Sequence, residues 1–132
     1  MVLKAKSGHS PKDYSLMMDL MFGNCYSLTY LDVSKFNTKS TQSFSSMFYN
    51  CSSLTSLDVS NFDTFSVKYM EYMFYDCKQL KYLNLSNFYT YYVINMDNLF
   101  EGCKHLKSID FPNLDTTNDK LLYGMFIGCI NL

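Results

Sequence analysis

The apolar and polar positions of this chain recur at a fixed interval. Five cysteines follow one another at steps of 26 residues, and each has a phenylalanine three residues before it and a leucine three residues after it. Spacing of this regularity predicts a repeat protein, in which every copy contributes one layer to the structure. The cysteines that mark the copies are Cys25, Cys51, Cys77, Cys103 and Cys129.

Each copy has two halves with different periodicities. In the first half, Leu57 and Val59 are separated by one polar residue, and this alternation predicts a short β-strand. In the second half, Val67, Met70 and Met73 follow helical spacing, which predicts a short amphipathic helix. One strand and one helical turn cannot bury their apolar sides alone, so we expect the copies to stack.

The predicted fold is a right-handed α/β solenoid similar to a leucine-rich repeat, with one parallel β-sheet and short helices or 3₁₀ turns. Thr64 or Ser66 is expected to cap the helix of its copy by accepting a backbone N–H bond. Residues 14–132 are expected to form a single solenoid domain of four to five repeats of 26 residues. Residues 1–13 are interpreted as a leader or as a partial N-terminal cap.

The unit that contains Met47, Cys51, Leu54, Leu57 and Phe62 resembles a known repeat of the same length. It is similar to the 26-residue repeat of bacterial surface proteins and mycoplasma lipoprotein-associated proteins, which are grouped with the BspA-like leucine-rich repeats. The resemblance covers about residues 14–132. It implies a solenoid within a larger cell-surface protein, a role in adhesion or protein binding, and no catalytic residues.

The chain begins and ends within a repeat, so we expect it to be a segment of a longer protein. An uncapped repeat end exposes core side chains, which predicts head-to-tail self-association through the ends. The first eleven residues lack the apolar stretch of a signal peptide. A location at the cell surface or outside the cell is therefore implied by the resemblance alone. Pro112 departs from the pattern, since the other copies have serine there, and it weakens the predicted ladder.

Composition narrows the classes of partner. The chain has 132 residues, of which 48% are hydrophobic, and a net charge of −1, which suits one globular domain and excludes intrinsic disorder. All 11 basic residues are lysine, and a nearly neutral chain without arginine argues against nucleic-acid binding. No apolar run is long enough to cross a bilayer, which argues against direct membrane insertion.

The cysteine spacing fits neither paired zinc ligands nor an even-numbered disulfide framework. We expect a structural ladder of buried thiols at Cys25, Cys51, Cys77, Cys103 and Cys129, with disulfides between adjacent copies as the alternative.

The outward side chains of the predicted strands are the candidate binding surface, here called the strand face. Tyrosines offer a large contact area, and the polar columns beside them suit a protein, peptide or glycan ligand. The alternative is a solvated face whose aspartates satisfy nearby turn amides. A metal site is disfavoured because the carboxylates are not clustered as calcium requires. The strand face consists of Tyr30, Asp32, Ser56, Asp58, Tyr82, Asn84, Ser108 and Asp110.

The sequence offers no arrangement for catalysis. His9 and His105 lie in unrelated settings, and phosphate-binding loops, nucleophile elbows and paired metal ligands are missing. We therefore predict that the chain is not an enzyme and uses no cofactor. The expected function is a non-catalytic protein-binding or adhesion module that contacts a protein or a host-surface component. The alternative is a structural spacer or self-assembling segment without a specific ligand.

Overall fold

A computed structural model describes residues 2–4, 17–117 and 120–132. The 26-residue copies lie against one another as tiers, which we number 1 (17–42), 2 (43–68), 3 (69–94), 4 (95–120) and 5 (121–132). Isolated parallel bridges join the first residue of every tier to that of the next: Met17 to Ser43, Ser43 to Tyr69, Tyr69 to Asn95, and Asn95 to Leu121.

The predicted solenoid of helices and one parallel sheet is wrong. The described residues contain no helix, and their strands are three residues long. Parallel pairing joins the first two strands to each other and the last two to each other, as two separate sheets, and residues 56–58 of tier 2 belong to neither sheet. The strands are β1 (Val2–Lys4), β2 (Tyr30–Asp32), β3 (Tyr82–Asn84) and β4 (Ser108–Asp110).

A run of overlapping turns replaces the predicted helix. We call it the turn ladder: residues 18–25, 44–51, 70–77, 96–103 and 122–129. In tier 3, the Met73 amide donates within the tier to the carbonyl of Met70, at 3.2 Å. The amides of Met70, Tyr72, Phe74 and Asp76 donate instead to tier 4, at 2.7–3.0 Å. An α-helix needs successive amides to bond within the same segment, so this division between two partners excludes a helix.

Backbone dihedral angles also interrupt any helix in the turn ladder. Tyr72 and Asp76 have φ values of 58° and 54°, and the equivalent residues of the other tiers also lie in the left-handed region. Asparagine, aspartate and glycine tolerate this region best. These residue types fill the position before every cysteine, at Asn24, Asn50, Asp76, Gly102 and Gly128.

The core of the turn ladder is a column of phenylalanine rings. Neighbouring rings are stacked, with centroids 5.4–5.7 Å apart. The three central rings are fully buried, and Met70 and Met73 are buried beside them. The spacing of apolar residues therefore identified the inward positions correctly, although the backbone between them is not helical. The stacked rings are those of Phe22, Phe48, Phe74, Phe100 and Phe126.

The predicted helix caps are wrong because their side chains bond to a neighbouring tier. Buried Thr64 accepts a bond from the amide of Tyr89 at 2.8 Å and donates to the Tyr89 carbonyl at 3.2 Å. Ser66 donates to the carbonyl of Lys39, in the preceding tier. Thr38 and Thr90 bridge tiers in the same way as Thr64. This half of the repeat is thus tied together by side chains.

The N-terminal segment is described only at Val2–Lys4, whose backbone pairs with β2. The remainder of residues 1–13, including His9, lies outside the described residues. The expected leader or cap and the expected domain of residues 14–132 stay predictions. No helix of the length and apolar character that a membrane crossing requires was found among the described residues.

Candidate functional site

The five cysteines are free, and three of them are buried. The thiols of Cys51, Cys77 and Cys103 each donate to a phenylalanine carbonyl 29 residues earlier, at 3.1–3.3 Å. Burial raises the pKa of the Cys51 and Cys103 thiols to about 12, and it raises the pKa of Cys77 well above its usual value. A neutral thiol is a poor nucleophile and a poor metal ligand. Cys25 and Cys129, at the two outer tiers, are half-buried.

Three side chains of the strand face accept hydrogen bonds from turn amides. Asp32, Asp58 and Asn84 each accept a hydrogen bond from the amide of the serine two residues later, at 2.9–3.0 Å. Asp110 has no such donor available, because Pro112 carries no N–H. The bonds from Ser60 hold the pKa of Asp58 below its usual value, so this exposed carboxylate is ionised at neutral pH.

A shallow, open groove of about 460 Å³ lies on the strand face. Tyr30 and Tyr82 line it from equivalent positions in tiers 1 and 3, and Ser56 lies at that position in tier 2. The side chain of Asp58 also lines the groove. The two rings are two tiers apart, which is on the order of 10 Å at parallel-strand spacing. The small side chain of Ser56 does not fill the space between them.

The backbone of the groove differs from that of its neighbours. Residues 56–58 form no backbone–backbone hydrogen bond with any other described residue, whereas the equivalent segments of tiers 1, 3 and 4 are paired strands. Backbone N–H and C=O groups need partners, which at an exposed place are water or a ligand. The groove therefore presents peptide donors and acceptors in addition to side chains.

The structure brings together only part of the predicted strand face. Tyr30, Asp32, Ser56, Asp58 and Tyr82 line the groove. The other predicted residues lie in β3 and β4, outside the groove: Asn84, Ser108 and Asp110. The sequence reasoning missed the unpaired backbone of residues 56–58. The residue type of Ser56 gives no signal for it, because Ser108 occupies the same column in the paired strand β4.

A second exposed aromatic cluster lies elsewhere on the repeat. The ring of Tyr92 contacts Phe65 and Tyr91 edge to face, with centroids 5.4 and 5.0 Å away. Tyr89 is also exposed and lines, with Phe65, a further groove of about 440 Å³. The Lys120 ammonium donates to three backbone carbonyls between residues 90 and 93 and thereby fixes this loop.

No group of three or more histidine, cysteine, aspartate or glutamate side chains suited to a metal ion was found in the described part of the chain. What the groove offers chemically is two aromatic rings, a carboxylate and unpaired peptide groups. These groups suit noncovalent recognition.

Comparison with known families identifies the family of this chain. The profile described as "Mycoplasma protein of unknown function, DUF285" matches residues 16–132. Comparisons with curated proteins and with solved structures found no match. Since the matched residues make up most of the chain, this protein belongs to the Mycoplasma family DUF285.

Proposed function

We propose that this chain is a non-catalytic binding module that recognises a protein partner through the groove on its strand face. The observation that carries the proposal is the groove itself, where two exposed tyrosines flank a serine over an unpaired stretch of backbone. Tyrosine is enriched in protein interfaces because it combines a large apolar area with a polar tip at low entropic cost.

The rigid turn ladder supports this proposal. Ligand recognition is sharper when contact residues are held on elements whose geometry is fixed in advance. Stacked phenylalanines and inter-tier amide bonds fix the tiers on one side of the repeat, while the strand face keeps exposed side chains. The molecule thus combines a fixed scaffold with an open surface.

We propose further that the module acts at the cell surface or outside the cell, as part of a longer protein. The support is the resemblance of its repeat to the BspA-like repeats of bacterial surface proteins. Its partner would then be a protein component of a host surface.

Binding of the protein to host cells tests the proposal. Beads coated with the full chain are incubated with cultured host cells, before and after the cells are treated with a protease. Tyr82→Ala removes a ring that is 60% exposed and lines the groove. Tyr123→Ala is the matched control, because that ring is 75% exposed and lies in tier 5, outside the groove.

We expect cells to bind wild-type and Tyr123→Ala beads, and to lose binding after protease treatment or with Tyr82→Ala. Binding that survives Tyr82→Ala would contradict the role of the groove. Absence of wild-type binding would favour a structural spacer. Mass that grows with concentration in light scattering would favour self-assembly.

A further inference from the structure

We propose that the groove receives an arginine side chain of the protein partner, with its guanidinium between Tyr30 and Tyr82 and beside Asp58. This inference rests on the proposed function and specifies its ligand chemistry. We call the receiving site the tyrosine notch, which consists of Tyr30, Ser56, Asp58 and Tyr82.

Charge is the first argument. Asp58 contributes a carboxylate to the groove, and none of the residues that line the groove is basic. The ion pairs formed among the described residues are Lys78 with Asp76 and Lys120 with Asp115, so Asp58 enters neither. Ser60 donates to this exposed carboxylate but is uncharged, so the negative charge of Asp58 has no ion-pair partner among the described residues. A cationic group from a partner therefore complements this site.

Ring geometry is the second argument. Neither Tyr30 nor Tyr82 stacks on another aromatic ring of the described chain, although both are well exposed. Elsewhere, adjacent tiers stack directly, as Tyr49 and Tyr75 do at 4.9 Å. With serine between them, the gap of about 10 Å would place a cation at its centre about 5 Å from each ring, which is within the range of a cation–π interaction. A guanidinium stacks on aromatic faces and presents a fork of donors to carboxylates, which a lysine ammonium cannot do as well.

The remaining donors of a guanidinium also find partners in the notch. The backbone carbonyls of residues 56–58 accept no hydrogen bond from the backbone of any described residue. Arginine carries five N–H donors and needs several acceptors at once. None of these 132 residues is an arginine, so the ligand is not one of them.

A titration with small probes tests the site without the natural partner. The ¹⁵N-labelled full chain is titrated with Nα-acetylarginine amide, with the neutral isostere Nα-acetylcitrulline amide, and with Nα-acetyllysine amide. We expect amide signals of residues 56–58, Tyr30 and Tyr82 to shift with the arginine probe. The lysine probe should produce weaker shifts, and the citrulline probe should leave these signals unchanged.

Two variants sharpen the result. Asp58→Asn removes the charge but keeps the turn, because Asn84 accepts the same amide bond at 2.9 Å in the next tier. This variant should bind the arginine probe with about tenfold lower affinity, as expected for loss of a charged hydrogen bond. Ser56→Tyr fills the notch with the residue already present in tiers 1 and 3, and it should abolish the shifts.

Equal shifts with arginine and citrulline would overturn the proposal, since the notch would then recognise shape without charge. Undiminished arginine binding by Asp58→Asn or Ser56→Tyr would also overturn it. In the cell-binding assay, loss of binding by Tyr82→Ala but not by Asp58→Asn would leave the groove as the binding surface and exclude the arginine. The two proposals can therefore fail separately.

Discussion

The turn ladder and the strand face join the same tiers by different means. Along residues 70–77 of the turn ladder, four amides of tier 3 donate to tier 4, and the same pattern links every neighbouring pair of tiers. Along the strand face, backbone pairing connects β1 with β2 and β3 with β4, and it is absent between β2 and β3 at residues 56–58. Backbone hydrogen bonds thus join all five tiers along the turn ladder. Along the strand face, this backbone pairing is missing at tier 2.

We infer that this difference separates the side that stabilises the fold from the side that we propose binds a partner. The continuous side buries phenylalanine, methionine and cysteine columns and fixes the register of the tiers. The strand face can then carry an interruption in its pairing, because the register is already determined elsewhere. Substitutions on the two sides are therefore expected to have effects of very different size.

The largest effect is expected in the phenylalanine column. Phe74→Ala removes a fully buried ring that stacks on Phe48 and Phe100, each at 5.6 Å. The free energy of unfolding should fall by about 3–5 kcal/mol, measured by urea denaturation. Phe65→Ala, at a 63% exposed position, is the control and should cost below about 1 kcal/mol. Similar losses for the two variants would contradict the account.

Alkaline pH should lower the free energy of unfolding through the buried cysteines of the turn ladder. The pKa of Cys51 and of Cys103 rises from 9.0 to about 12 in the folded protein, so the folded state keeps protons that the unfolded state loses. The stability from these thiols is fully present below pH 9 and is lost as the pH rises from about 9 to about 12. Each thiol contributes a slope of up to about 1.4 kcal/mol per pH unit.

The control for this pH effect is the double variant Cys51→Ala/Cys103→Ala. All other ionisable groups are the same in both proteins, so the difference in slope belongs to the two substituted thiols. Unfolding free energies measured by denaturation between pH 8 and pH 11 should fall less steeply for the double variant. Identical slopes would show that the thiols do not contribute.

A smaller effect is expected where the turn ladder needs a left-handed residue. Gly102 has a φ of 76°, and an added Cβ would collide with the carboxylate of Asp76 in the preceding tier. Gly102→Ala should therefore lower the free energy of unfolding by about 1–2 kcal/mol, since a β-carbon is disfavoured in the left-handed region. Gly23→Ala is the control, because Gly23 does not have a left-handed φ and tyrosine takes its position in tiers 2 and 3. The atom nearest to an added Cβ there is the terminal Cδ2 of the exposed Leu20 side chain, 2.8 Å away, which can move aside. Thermal denaturation measures both variants. Equal melting temperatures would contradict the left-handed conformation of Gly102.

The smallest effect is expected on the strand face. Tyr82→Ala should change the free energy of unfolding by less than about 0.5 kcal/mol, because the ring is exposed and stacks on no other described ring. Urea denaturation of this variant alongside the wild type provides the measurement. A loss above about 2 kcal/mol would mean that the ring supports the fold, and the cell-binding result for this variant would then have another explanation.

The sequence predicted the repeat and its inward positions, but not the backbone that connects them. Met70, Met73 and Phe74 point inward at spacings that a helix and a series of overlapping turns share. The choice between the two depends on whether amides bond within a tier or to the next one, which local spacing does not encode. The column of asparagine, aspartate and glycine before each cysteine was the available signal for left-handed turns.

The candidate site was predictable only as a list of outward residues. Tyr30, Ser56 and Tyr82 share a column in the sequence, so their alignment follows from the period. Residues 56–58 of the groove belong to neither sheet, and the sequence does not predict this. No feature of the segment 55–58 by itself distinguishes it from its paired equivalents.

Amide hydrogen exchange tests the difference between the two sides most directly. In the native ¹⁵N-labelled protein, the amides of Met70, Tyr72, Phe74 and Asp76 should exchange only with global unfolding, because each is bonded to the next tier. The amides of residues 56–58 should exchange rapidly, as they have no backbone acceptor among the described residues. Comparable protection of the two sets, or faster exchange in the turn ladder, would contradict this account.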